Sequence, residues 1–400
     1  MSKPPEITLR RGEHERIVAG HPWIYQSSID KLESPAADGE VVLVKDFRGK
    51  ALGVGFYNSK SRISVRVLSP EPVEINQAFF ERRILAALEL RRRRMPTATS
   101  FRVVNAESDF LSGLIVDKYE DVLVVQTSSL GMDQRKAQIV EVLKRTLAPR
   151  AIIERNELAS RKFEGLTDAN GPLAGELPGK FPVKLNGITF EVDVLGGHKT
   201  GLYLDQQLNY ELVGQLAQGR NVLDCFSFLG GFGLHCARAG AANVFGLDQS
   251  EDAIKAAETN ATANGFSDRC KFAQANVFDW LKERSHTGPH DKLIPPYDMI
   301  ILDPPSFTRT RDAVPNALRG YKEIHVRAFK LLRPGGVLAT FCCSHHVDTA
   351  TFRDVILSAA YDTRTVLRQT AILTQSPDHP IIPMIPETEY LKGFVFEKVG

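Results

Sequence analysis

The chain has 400 residues, 43% of them hydrophobic, and carries 50 Lys+Arg against 48 Asp+Glu for a net charge of +2. Length and apolar content together predict two or three buried cores and exclude a disordered or low-complexity protein. The near balance of charge says nothing by itself about nucleic acid, but residues 1–100 hold 17 basic side chains against 12 acidic ones, an asymmetry that permits RNA binding without requiring it.

The five cysteines, at positions 225, 236, 270, 342 and 343, are odd in number and show no paired metal-ligand spacing. Reduced thiols in a cytoplasmic setting are therefore expected. Met1 to Pro5 leads into a polar, strand-like stretch, and no run approaches ~18 apolar residues, so neither export nor membrane insertion is expected.

From Ile7 to Leu68, short apolar runs at Val41 to Asp46, Ala51 to Tyr57 and Ile63 to Leu68 alternate with turn residues, which predicts a small β-barrel. Ser69-Pro70-Glu71-Pro72 breaks it. Phe79 to Arg94 has helical periodicity, with Phe80, Ile84 and Leu88 on one stripe, and ends in Arg91-Arg92-Arg93-Arg94 before Met95-Pro96. Those arginines suit either a solvated helix end or part of an RNA footprint. Residues 101–185 read as a mixed α+β module, with strands at Gly113 to Asp117 and Val122 to Gln126, a helix from Met132 to Leu147, and a loop-rich end from Gly165 to Gly179. A strand pair follows at Val183 to Leu185 and Ile188 to Val192. From Tyr203 onward, strands and helices alternate as in βαβ units, with Val244 to Asp248 as the second parallel strand. The expected division is a barrel over 1–75, an α+β module over 76–185 and an α/β domain over 186–400.

Three segments of the last part carry chemistry. Asn221 to Gly233 is an apolar strand closed by Asp224 and a glycine-rich turn, which suits a strand that hands backbone amides to a cofactor at a helix start. Asp248 lies 24 residues further on, the separation expected of a carboxylate gripping ribose hydroxyls. The G-G-F-G spacing departs from G-x-G-x-x-G and so favours S-adenosylmethionine over a dinucleotide. Asn276, after the third strand, offers a side-chain acceptor to an adenine amino group. The second segment, Ile300 to Phe307, holds Asp303 on a turn that Pro304 and Pro305 make rigid. The third, Ala339 to Ser344, brings Cys342 and Cys343 to a strand end. A pyrimidine C5 is a poor nucleophile until a thiolate adds at C6, and Cys343, with its polar exit Ser344-His345-His346, is the expected nucleophile. Cys342 is read as a core thiol. Asp303 is expected to stabilise the charge that builds on the ring. Adjacent histidines on an extended segment point apart, so no metal is expected.

At these residues the chain resembles the class I S-adenosylmethionine-dependent RNA methyltransferases, and more narrowly the bacterial large-subunit ribosomal RNA cytosine-5 methyltransferases with an N-terminal PUA domain. Arg10-Arg11-Gly12 with Gly20-His21-Pro22-Trp23-Ile24-Tyr25 resembles the start of that PUA barrel, and Glu107-Ser108-Asp109 with Gly113 to Asp117 its central module. Gly197 to Gln207 resembles the segment entering the catalytic domain, which in the family borders the cofactor. Gly320-Tyr321-Lys322, Asp378-His379-Pro380 and Tyr390-Leu391-Lys392-Gly393 also fit. The resemblance implies a Rossmann-like methyltransferase domain and S-adenosylmethionine held by Asp205, Gln206, Asp224, Phe226, Ser227, Gly230, Asp248, Asn276 and Asp303, with Cys343 as nucleophile. It implies large-subunit ribosomal RNA as partner, met by a barrel whose Arg10, Arg11, Lys45 and Arg62 support RNA contact; a homodimer is compatible with the sequence. Two departures stand out. Many relatives have Asp where this chain has Asn276, and relatives with two cysteines place one beside the proline motif, which Asp303-Pro304-Pro305-Ser306 lacks. Product release then needs a base other than a second thiol. The rival readings are a guanine-N7 or other nitrogen-directed RNA methyltransferase, which needs no thiol, and a non-catalytic RNA-binding ribosome-assembly factor.

Overall fold

A computed structural model describes residues 3–177, 179–196, 201–286, 293–308 and 310–399. The chain forms two compact units: the first holds residues 1–183, 192–204 and 377–389, the second residues 184–191, 205–376 and 390–400.

The first unit opens with β1 (Glu6–Leu9), β2 (Trp23–Tyr25), β3 (Ile29–Leu32), β4 (Val41–Lys45), β5 (Ala51–Tyr57) and β6 (Ile63–Ser69), hydrogen-bonded in the order β2-β6-β5-β4-β1-β3. Alternation in β1 and β4 turns Ile7, Leu9, Val42 and Val44 inward, where they pack with Ile24 and Val65, each at most 1% exposed. A second sheet, ordered β11-β10-β9-β8-β7, is built from β7 (Phe101–Asn105), β8 (Leu114–Tyr119), β9 (Val122–Thr127), β10 (Ala151–Arg155) and β11 (Asn170–Ala174). The helix expected from Phe79 runs Gln77–Arg94, its first turn capped by Asn76, whose side chain accepts the Phe79 N–H at 3.1 Å. The helix expected over Met132 to Leu147 is two, Leu130–Gln134 and Lys136–Leu147. The break falls at Arg135, whose guanidinium lies 4.2 Å from the centre of the Phe56 ring and donates to the Gly39 carbonyl at 2.8 Å.

The run of four arginines divides. Arg92, Arg93 and Arg94 are exposed, whereas Arg91 is fully buried and grips both oxygens of Asp109, at 2.5 and 2.7 Å. It also donates to the carbonyls of Ala87, Arg102 and Asp378 at 3.3, 2.9 and 2.7 Å, so it belongs to the interior and to no RNA footprint. The hairpin of β12 (Lys180–Leu185) and β13 (Ile188–Asp193) contains the first crossing of the chain between the units.

The second unit holds a seven-stranded sheet of β14 (Asn221–Cys225), β15 (Asn243–Asp248), β16 (Cys270–Gln274), β17 (Tyr297–Leu302), β18 (Leu332–Cys342), β19 (Leu367–Thr374) and β20 (Lys392–Lys398). Their order is β16-β15-β14-β17-β18-β20-β19, with only β20 running against the rest. Met299 to Leu302 are all 0% exposed, as expected of a parallel strand covered on both faces. Pro334-Gly335-Gly336 lies within β18, where pairing with β17 slips from Tyr297↔Leu332 to Met299↔Val337. The strand order reverses between β14 and β17, so the crevice for a ligand lies beyond the carboxyl ends of those two strands.

Candidate active site

Beyond β14 the backbone is held in an uncommon shape. Phe226, Phe228 and Gly230 have φ of 66°, 48° and 85°, two of them at residues that carry a Cβ. At the two phenylalanines such a conformation costs of order 1–3 kcal/mol and persists only where the surroundings fix it. Three hydrogen bonds do so: Ser227 N–H to the Leu247 carbonyl at 2.8 Å, Phe228 N–H to Asp248 Oδ2 at 3.0 Å and Gly233 N–H to Asp224 Oδ2 at 2.9 Å. The other oxygen of Asp248 accepts the Ser250 N–H at 2.9 Å, so this carboxylate clamps the loop from β15.

Asp224 is 1% exposed, and among the described residues its Oδ1 has no hydrogen-bond partner, nor has the buried Ser227 Oγ. Burial pushes the Asp224 carboxyl up to about 8, the Asp303 and Asp248 charges add to the rise, and the Gly233 amide opposes it. A buried carboxylate oxygen without a donor next to a strained, glycine-bearing loop is the kind of group that a cationic ligand satisfies.

Asp303, at the end of β17, accepts from Gln206 Nε2 at 3.1 Å, and its N–H lies 3.5 Å from the Cys225 carbonyl, which ties the ends of β14 and β17 together. Gln206 is positioned in turn: its Oε1 accepts from Asn209 Nδ2 at 2.6 Å, and that amide also donates to the Thr374 carbonyl at 2.9 Å. Its neighbour Asp205 accepts the Tyr390 hydroxyl at 2.7 Å.

The two cysteines at the end of β18 separate as their environments require. Cys342 is 0% exposed and part of the sheet core, whereas Cys343 is half-buried with its Sγ 3.8 Å from the Pro304 carbonyl oxygen. Cys343 and Asp303 thus share one corner through the proline turn. Ser344 fixes the next step of the chain: its Oγ meets the Tyr321 hydroxyl at 3.1 Å and Ser306 Oγ at 3.0 Å, and its carbonyl accepts from the buried Lys392 Nζ at 2.8 Å. Burial raises the Tyr321 phenol far above its usual range, so it serves as a neutral hydrogen-bonding group.

Residues 117–396 match the profile of the S-adenosylmethionine-dependent methyltransferases, and residues 7–70 that of a PUA-like domain. The chain belongs to the S-adenosylmethionine-dependent methyltransferases. Ribosomal RNA large subunit methyltransferase I of Photobacterium profundum is 37% identical over 394 residues, 97% of this chain and 98% of its own. The protein of the same name from Shewanella amazonensis is 39% identical over 394 residues, with 97% and 98% coverage. The crystal structure of SMU.776, described as a methyltransferase and solved with SAH, superposes with a TM-score of 0.82 at 20% identity over 98% of this chain and 99% of its own, a likeness of fold.

The methyltransferase takes S-adenosylmethionine as cofactor, and the unpartnered Asp224 oxygen fits that ligand's positive charge. The sequence-expected residues do not all keep the role first read for them. Asn276 caps the helix Val277–Ser285, and its Oδ1 already accepts the Phe278 and Asp279 N–H groups at 3.0 and 3.3 Å, so the acceptor read for adenine is committed to the helix start. Of the basic residues expected on RNA, Arg10, Arg11 and Arg62 are exposed, while Lys45 pairs with Glu6 at 2.5 Å. Residues 197–200 of the expected cofactor-bordering segment lie outside the described residues. Among the described residues, no group of three or more His, Cys, Asp or Glu is arranged to hold a metal, and no helix is long and apolar enough to cross a membrane. Sequence reasoning missed the Ser306, Ser344 and Tyr321 network and the role of Asn209, since hydroxyls and amides that act through tertiary contacts leave no periodic trace. Tyr390 and Lys392 stood only in a motif of unknown use.

Proposed function

We propose that this methyltransferase forms 5-methylcytosine in large-subunit ribosomal RNA, with Cys343 adding covalently to C6 of the target ring. The substrate class is supported by relatives 37–39% identical over almost the whole chain that bear the name ribosomal RNA large subunit methyltransferase I. The chemistry rests on one observation: a half-exposed thiol against the Pro304 carbonyl, one residue from Asp303.

Asp224, Ser227 and Asp248, with the loop through Phe226 and Gly230, would hold the cofactor, and Asp205 and Gln206 would border it. Asn276 would contribute its remaining Nδ2 donor. When bound, S-adenosylmethionine supplies an electrophilic methyl on a cationic sulfur. The target base, splayed out of its RNA strand, enters beside Cys343. The thiolate forms the Sγ–C6 bond, and the C5=C6 π pair moves to C5, which becomes nucleophilic enough to accept the methyl. Asp303, held by Gln206, bridges the ring at N3 and stabilises the charge that the addition builds there. A base then takes the C5 proton, its electron pair restores the double bond, and the Sγ–C6 bond breaks. In this reading the barrel within 1–75 and the module within 76–185 serve RNA, residues 186–400 carry the chemistry, and the work is done in the cytoplasm.

The direct test is a large-subunit RNA fragment carrying 5-fluorocytosine at the target. Fluorine cannot leave as a proton does, so wild type with S-adenosylmethionine is expected to form a complex that survives denaturing electrophoresis, and Cys343→Ala is expected to form none. Methylation of normal RNA without any trapped complex favours the nitrogen-directed alternative.

The raised Asp224 carboxyl adds a pH-dependence. Its native value near 8 lies above that of the unfolded chain, so between the two the free native protein holds a proton there. A cationic ligand favours the ionised form, so cofactor binding below pH 8 releases that proton, and affinity rises with pH until about 8. Calorimetry in buffers of different ionisation enthalpy is expected to count about one proton released per cofactor near neutral pH, and none for Asp224→Asn.

A further inference from the structure

The barrel carries a cavity that the catalytic reading leaves unused. Between β4 and β5 the chain turns tightly over Asp46 to Lys50: the Asp46 carboxylate accepts the N–H groups of Arg48 and Lys50, both at 2.8 Å, and the Gly49 N–H reaches the Asp46 carbonyl at 2.9 Å. This turn sets Phe47 and Arg48 side by side at the rim. Phe47 is 36% exposed. Around its ring gather the guanidinium carbons of Arg48 at 5.0 Å and Arg11 at 6.0 Å, and the His14 imidazole at 5.6 Å between centroids. Arg11, His14, Glu15, Asp46, Phe47 and Arg48 line a cavity of about 340 Å³.

We propose that this cavity binds one unpaired nucleotide of RNA, its base stacked on Phe47 and its phosphate held by Arg11 and Arg48; the inference rests on the reading of the protein as an RNA enzyme. The volume is at the small end of ligand sites, of order 300 Å³ and up, which suits a single nucleotide. An exposed ring flanked by guanidinium groups presents the two surfaces that an unstacked base takes up, the aromatic face and the planar cation. The Asp46 carboxylate serves its own turn: its Oδ1 accepts the Arg48 and Lys50 N–H groups, which hold its pKa below the usual range against the effect of burial. Duplex RNA keeps its base faces stacked inside the helix, so the site selects single strands.

Fluorescence anisotropy of the full chain with a roughly 12-nucleotide single-stranded RNA, against a duplex of the same sequence, tests this. Phe47→Ala is expected to weaken single-strand binding roughly 5- to 100-fold and leave the salt dependence unchanged, because it removes stacking and no charge. Phe47→Trp is expected to restore binding. Arg48→Ala is expected to weaken binding and flatten the slope of log affinity against log salt by about 0.7, one phosphate contact on a single strand. Equal single-strand binding by wild type and Phe47→Ala overturns the proposal, as does an equal loss with the duplex, which would mark a general surface defect or a protein-docking face. The assay runs equally in Cys343→Ala protein, so failure of the covalent chemistry and failure of this site are told apart.

Discussion

Cys343→Ala protein is expected to bind S-adenosylmethionine with wild-type affinity and to methylate RNA more slowly by on the order of 10⁴-fold or more. The size follows from what the thiol does: without an adduct at C6 the C5 carbon is a poor nucleophile, and orienting the base against the donor cannot make up the difference. Cofactor affinity holds because Asp224, Ser227 and Asp248, read as the groups that hold the cofactor, sit at the ends of β14 and β15, on other elements than Cys343. Cys343→Ser is expected to fall close to the alanine variant, since a serine hydroxyl ionises far less readily than a thiol. Cys342→Ala serves as control; it removes a buried core atom and is expected to lower stability while keeping trapped-adduct formation. Single-turnover methyl transfer with isotopically labelled donor reads the rates, and calorimetry reads the affinity. Methyl transfer by Cys343→Ala within tenfold of wild type would falsify the covalent mechanism.

Arg91→Met should destabilise the first unit by about 3–5 kcal/mol, the usual cost of leaving one member of a buried ion pair alone. Arg91 is 0% exposed and makes five hydrogen bonds through three nitrogens, two of them to Asp109, whose Oδ2 also accepts the Asn105 N–H at 2.6 Å. Methionine fills much of the same space but strands the Asp109 carboxylate in the interior. Arg91→Lys keeps the charge without the planar fork and is expected to recover only part of the loss. The double variant Arg91→Met with Asp109→Leu, which removes both charges, is expected to be more stable than Arg91→Met alone. Thermal unfolding reads the effect as a fall of roughly 6–20 °C in the transition of the first unit. A fall equal to that of Arg92→Ala, an exposed neighbour, would contradict the assignment of Arg91 to the interior.

The contrast between Arg91 and Arg92 shows where sequence reading stops. Four arginines in a row look alike; which one turns inward depends on the helix phase, which the Phe80, Ile84 and Leu88 stripe indicates, and on Asp109 and Asp378 lying beside it, which periodicity does not supply. The barrel, the βαβ alternation and the strand-end positions of Asp224, Asp248, Asp303 and Cys343 were legible because each depends on local patterning: alternation, apolar runs and an acidic or small residue at the exit. The fold class and the cofactor followed from those. Asn276 was legible as a strand-exit residue but not as a cap, since the same Asn can serve a helix start or a ligand until the helix bounds are known. The break at Arg135 was hidden for a similar reason, because the stripe around it is apolar enough to read as continuous.

The segmented make-up of the first unit bears on how the chain is born. Residues 377–389 belong to that unit, and the Asp378 carbonyl is one of the acceptors that complete Arg91. During vectorial synthesis the ribosome delivers the barrel and the five-stranded sheet long before that segment, so the earlier part of the unit must wait, with an interior arginine incompletely satisfied, until residues 377–389 have been made. A nonsense mutation shortly before residue 377 would therefore damage the first unit as well as the second.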